Sequence, residues 1–132
     1  MKKDINFPEV RDVKIAIAKS SDEKGESDYY VYVINNKDTD LSKLMIVSNA
    51  NEKEDGTGRK TSTLRHFMEG LNAGCFAKVE RIDPAVFSFH NEFWLSFFIG
   101  NELYDHKFKI SPFSEWELED IQELELKGKL AI

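Results

Sequence analysis

The chain has one cysteine, Cys75, so no disulfide can form within it and its stability must come from a packed core. A basic segment followed by an apolar one is missing from Met1 to Val10, which removes a secretory signal and leaves the cytoplasm as the expected location. Apolar runs are only a few residues long, far below the roughly 20 needed to span a bilayer, so no membrane span is expected. Positive charge is not in excess: 24 acidic residues face 18 basic ones, for a formal net charge of -6. Long-range attraction to nucleic acid or to an anionic membrane is therefore not expected. Repeats and low-complexity segments are missing as well.

Chemistry-bearing motifs are equally scarce. His66, His90 and His106 do not stand at ligand spacing with another histidine, cysteine or carboxylate, so no metal and no other cofactor is expected. The loop Asp55-Gly56-Thr57-Gly58-Arg59-Lys60-Thr61-Ser62 approaches a phosphate-binding loop, but Arg59 stands where the glycine before the lysine belongs and Glu54 where the first one belongs. Gly56 and Gly58 also miss the dinucleotide fingerprint, whose third glycine position holds Thr61. A flexible hairpin loop accounts for the same residues. No nucleophile, base and acid can be assigned from spacing, since such groups assemble across strands, and catalytic residues are therefore not named. Cys75 heads the alternation Cys75, Ala77, Val79 with no adjacent histidine or basic cluster, and reads as buried and inert.

What the chain does have is sheet. Hydrophobic residues make up 41% and aromatics 12%, including ten phenylalanines, enough for one core in a domain of 132 residues. From Val86 to Ile110 two alternating runs flank Gly100-Asn101, which reads as a β-hairpin. Phe93, Leu95, Phe97 and Ile99 fall on one face, and Trp94, Ser96 and Phe98 on the other. Further alternating or β-rich runs lie at Val13 to Ile17, Tyr29 to Ile34, Leu44 to Val47 and Phe76 to Ile82, separated by Asn- and Asp-rich turns. Thr61 to Leu71 is ambiguous, because Leu64, Phe67, Met68 and Leu71 share a helical face; its Thr-Ser-Thr start favours a strand over Thr61 to Phe67. Ser114 followed by Glu117 has capping-box spacing and starts a short helix carrying Trp116 and Ile121, after which Gly128 breaks an extended run and Leu130 to Ile132 resumes it.

About six to eight short strands without strand-helix-strand alternation predict an all-β, antiparallel immunoglobulin-like β-sandwich spanning residues 1–132, with residues 1–9 as a flexible lead. A small barrel and a sandwich with one helix at its end are the alternatives. The segments KTSTLRHF, VERIDPAVF, FWLSFFIGNELYDHKF and KGKLAI resemble a small family of bacterial immunoglobulin-like sandwich proteins, some of whose members carry the label phenylalanyl-tRNA synthetase α-subunit. The resemblance covers about residues 10 to 132 and implies a sandwich. Its motifs are structural and bring no active-site residues, and a chain of this length has no room for an aminoacylating domain.

Two functions of different class follow. The first is a non-enzymatic protein-interaction or structural module, with Trp94, Phe98 and Tyr104 as interface residues and a protein partner or a second copy meeting a strand edge or an aromatic face. The second is a small anionic-ligand or RNA-related binding protein using Lys60 to His66, with Arg59, Lys60, Arg65 and His66 as the binding residues. Strand alternation would split those charges between two surfaces, and a charged edge strand that resists sheet-to-sheet aggregation explains the same residues better.

Overall fold

The computed structural model describes residues 8–132. Residues 1–7 of the expected lead thus lie outside the described residues. Among the described residues nine strands form two antiparallel sheets: β1 Val13–Ser21, β2 Ser27–Asn35, β3 Leu41–Asn51, β4 Leu64–Leu71, β5 Phe76–Ile82, β6 His90–Ile99, β7 Glu102–Ile110, β8 Glu119–Ile121 and β9 Leu126–Leu130. The first sheet runs β5-β2-β1-β9-β8 and the second β4-β3-β6-β7. The fold is an all-β sandwich. No helix among the described residues is long and apolar enough to cross a membrane.

The core forms because each strand turns its β-branched, leucine or aromatic positions to one side. Ile15 and Ile17 of β1, Val31 and Val33 of β2, Leu44 and Ile46 of β3, and Phe93, Leu95 and Phe97 of β6 are all buried between the sheets. Burying each such side chain contributes about 2 kcal/mol of transfer free energy. In the β6–β7 hairpin, Ile99 pairs with Glu102, and Gly100 alone takes a positive φ, 61°. One left-handed residue at the first central position is the pattern of a type II′ turn, in which Asn101 keeps a negative φ.

Three boundaries differ from expectation. Thr61 to Leu71 is extended, but the strand starts at Leu64 because Thr61 turns back, its amide donating to the Ala50 carbonyl at 2.9 Å and its hydroxyl accepting from the Ala50 amide at 2.8 Å. The Ser114/Glu117 capping box is present yet caps only a 3₁₀ turn, Glu115–Glu117, and Ile121 belongs to β8. Gly128 does not break its run but sits inside β9, opposite Ala18 of β1 and Glu119 of β8.

The two long sides of the sandwich are treated differently. On one, the C-terminus crosses between sheets: the Ala131 amide donates to the Ile15 carbonyl at 2.8 Å, and Ile132 exchanges both backbone bonds with Lys109. On the other, β5 and β4 are the edges of separate sheets and approach without pairing. That side is an open seam.

The β8–β9 turn folds over the outside of the first sheet, where Ile121 and Leu124 pack with Ala16, Ala18, Tyr32 and Ile34 in a second, smaller core. Glu123 fastens this cover, accepting from Lys14 Nζ at 2.9 Å and Asn36 Nδ2 at 2.6 Å. Those two bonds hold its carboxyl at a pKa of about 2, below the ordinary 4.5. A folded-state value below the unfolded one gives stability that is present above pH 4.5 and lost as pH falls toward 2. Because the pair is partly open to solvent, we expect about 1 kcal/mol from it. Glu123→Gln should lower the melting temperature at pH 7, and the two proteins should converge near pH 2; a constant difference across that range would contradict the assignment.

Candidate functional site

Strand pleating turns every second residue of the second sheet outward. Register fixes which of them are neighbours. One row across all four strands is Arg65, Val47, Trp94, Lys107; the next is Phe67, Met45, Ser96, Asp105. Phe98 and Leu103 pair beside them. The result is an apolar strip on the outside of the sheet, with Phe67 55%, Trp94 43% and Met45 37% exposed. Val47, Phe98 and Leu103 are half-buried along it. On the first sheet the chain's own β8–β9 turn covers Ala16, Ala18, Tyr32 and Ile34 and leaves Phe76 and Leu130 exposed beside them, whereas none of the described residues covers the strip on the second sheet.

The rim of the strip carries both signs of charge. Lys107 Nζ lies 4.8 Å from the Trp94 ring centroid and pairs with Glu92 at 3.1 Å, and Lys43 Nζ lies 5.9 Å from the Phe98 ring. These contacts hold the two aromatic rings in place. Arg65, Glu69 and Asp105 make no ion pair among the described residues.

Of the three interface residues expected from sequence, Trp94 and Phe98 lie on this strip. Tyr104 does not: opposite Phe97, it faces the interior and stacks on that ring at 5.2 Å and 7°. Its hydroxyl donates to Glu102 at 2.8 Å, which raises its pKa. Reasoning from sequence missed Met45, Val47, Phe67 and Leu103. The signal for the first two was available in β3, where Met45 and Val47 alternate with the buried Leu44, Ile46 and Ser48.

The basic segment is dispersed. Arg59 is bound to Glu52 at 2.8 Å and lies over the Phe89 ring, 5.4 Å from its centroid. Lys60 forms an isolated bridge with Asn51 and lines an open, acidic depression with Glu54, Asp55 and Glu92. Arg65 points outward beside Val47, and His66 points inward opposite Ile46. The four residues do not converge on one anion. Cys75, expected to be buried, is exposed, because β5 begins one residue later and Cys75 ends the turn that starts at Asn72.

At the open seam lies a second feature. A bulge in β5 shifts its register between Val31 and Tyr32, so Glu80 stands opposite Val31 and turns inward. Its carboxylate is only 9% exposed and accepts from the Ser48 hydroxyl at 2.7 Å. His66 Nε2 lies 3.4 Å from the same oxygen, buried and without hydrogen-bonding geometry. Beside Glu80 opens a cleft of about 260 Å³ whose apolar walls are Leu64, Ile82, Val86 and Phe93. This is not a hydrolytic triad: that requires an imidazole between hydroxyl and acid, whereas here the acid stands between hydroxyl and imidazole. Among the described residues no group of three or more histidine, cysteine or acidic side chains could hold a metal. Comparison with family models, with curated proteins and with solved structures finds no match to this chain.

Proposed function

We propose that this protein is a non-enzymatic interaction module that binds a protein partner through the outer face of its second sheet. The observation that carries the reading is the uncovered strip of Val47, Met45, Phe67, Trp94, Phe98 and Leu103, in contrast to the first sheet, where the β8–β9 turn covers the middle of the outer face. Four strands about 4.8 Å apart and three outward rows span on the order of 400 Å², about half of it apolar, since Arg65, Lys107, Ser96 and Asp105 share the same rows. The largest apolar patch on a monomer often marks a functional surface.

Rim charge narrows the partner. Arg65, Glu69 and Asp105 offer unpaired charges of both signs around an apolar centre, which suits a protein surface with an apolar middle and a mixed polar border. A polyanion would meet Glu69, Glu92 and Asp105 as well as a net charge of -6. On the sequence grounds given above, the sandwich is read as immunoglobulin-like and its setting as the cytoplasm. The test is the joint substitution Phe67→Ser and Trp94→Ser: the account requires partner binding to vanish while the fold persists, and unaltered binding would overturn it.

A further inference from the structure

We infer that the cleft at the open seam is a binding site for a small primary amine with an apolar body, held through its ammonium by Glu80. Three observations converge on it. First, Glu80 has a nearly buried side chain whose carboxylate has a single hydrogen-bond donor among the described residues, Ser48, although a carboxylate accepts about four such bonds. Second, no lysine or arginine among the described residues pairs with it: the adjacent Arg81, which also lines the cleft, commits its guanidinium to Asp28 at 3.1 Å. Third, Glu80 lines an apolar cleft rather than being sealed in the core.

A carboxylate removed from water needs a compensating cation or further donors. His66 supplies neither fully, since its Nε2 is buried at 3.4 Å without a hydrogen bond. An ammonium entering the cleft brings three donors and a positive charge to the oxygen left over. Leu64, Ile82, Val86 and Phe93 favour a compact apolar body for the rest of the ligand, and Asp83 on the same cleft disfavours a negative charge on it. At about 260 Å³ the space lies near the lower end of small-molecule sites, suiting an alkyl or arylalkyl amine better than a nucleotide or a peptide. An acid would face Glu80 itself, and an alcohol would donate one bond without charge. The β5 bulge has a role in this reading, because regular pairing would alternate Glu80 to the outer face.

The test is a calorimetric or NMR titration with 2-phenylethylamine, 3-methylbutylamine and tryptamine, each against the wild-type chain, with 2-phenylethanol as the uncharged control. At least one amine should bind with a dissociation constant of about 1 mM or lower, and 2-phenylethanol at least ~10-fold more weakly than 2-phenylethylamine. Glu80→Gln should reduce amine affinity to the level of the alcohol. Leu64→Trp, which fills the mouth from an exposed position and leaves Glu80 and the core in place, should weaken amine binding even if Glu80→Gln does not fold. Phe67→Ser with Trp94→Ser should leave amine binding intact, which separates this site from the outer face. The inference is overturned if no amine binds at about 10 mM, if amine and alcohol bind alike, or if binding survives Leu64→Trp.

Discussion

Phe67→Ser combined with Trp94→Ser should abolish binding to the partner and leave a folded sandwich. Trp94 lies near the middle of the strip and Phe67 on its β4 side, with Met45 and Val47 between them, and truncating an aromatic hot spot in an interface typically costs about 2–4 kcal/mol. Two such losses weaken binding by roughly 1,000-fold or more if they act independently. In the free chain each ring is about half exposed, so its contribution to folding is modest, on the order of 1 kcal/mol each from cross-strand packing and the Lys107 contact. The affinity and the melting temperature should therefore separate: the first collapses, the second falls by several degrees. Trp116→Ser supplies the control. Trp116 is 89% exposed on the 3₁₀ turn and lies off the strip, so its loss should change neither quantity.

The second large effect is on stability. Gly128→Val should destabilise the fold by about 3 kcal/mol or more, since overpacking against backbone cannot be relieved by a rotamer change. A Cβ at Gly128 would collide with the Ile17 carbonyl oxygen and lie 2.6 Å from Ile121 Cδ1. The first obstacle is backbone in the centre of the first sheet, and the second is a member of the small outer core. β9 is held between β1 and β8, so displacing it also loosens the β8–β9 cover over Ala16, Ala18 and Tyr32. Thermal or denaturant unfolding reads this directly, and a variant as stable as the parent would contradict the packing described. By contrast, Gly74→Ala faces open space and pays only for its positive φ of 71°.

How much of this was legible in the sequence depends on the range over which each feature is determined. The hairpin faces were, because alternation in Phe93 to Ile99 is set by pleating alone, and it assigned Trp94 and Phe98 to the outside. Strand β5 was bounded correctly by its β-rich run, Phe76 to Ile82. Tyr104 was misplaced because its face depends on register across the turn, and with Ile99 opposite Glu102 it falls opposite Phe97. The strip itself was invisible: Met45, Phe67 and Trp94 are far apart in the chain and meet only through the order β4-β3-β6-β7. Glu80 was hidden by the bulge, since regular alternation from Ala77 and Val79 would send it to solvent. Gly128 read as a break because its need for space comes from Ile17 and Ile121 on neighbouring strands, not from its own segment.

The central claim, that the outer face of the second sheet is covered by a partner in the working protein, is tested most directly by site-specific photo-crosslinking in the cell that makes the chain. A benzoyl-phenylalanine replaces Met45, in the middle of the strip, and in a separate variant replaces Trp116. The account predicts a discrete adduct from position 45, lost when Phe67→Ser and Trp94→Ser are added, and none from position 116; an adduct of twice the chain's mass would identify the partner as a second copy. Absence of a discrete adduct at position 45, or equal labelling from position 116, would contradict the account.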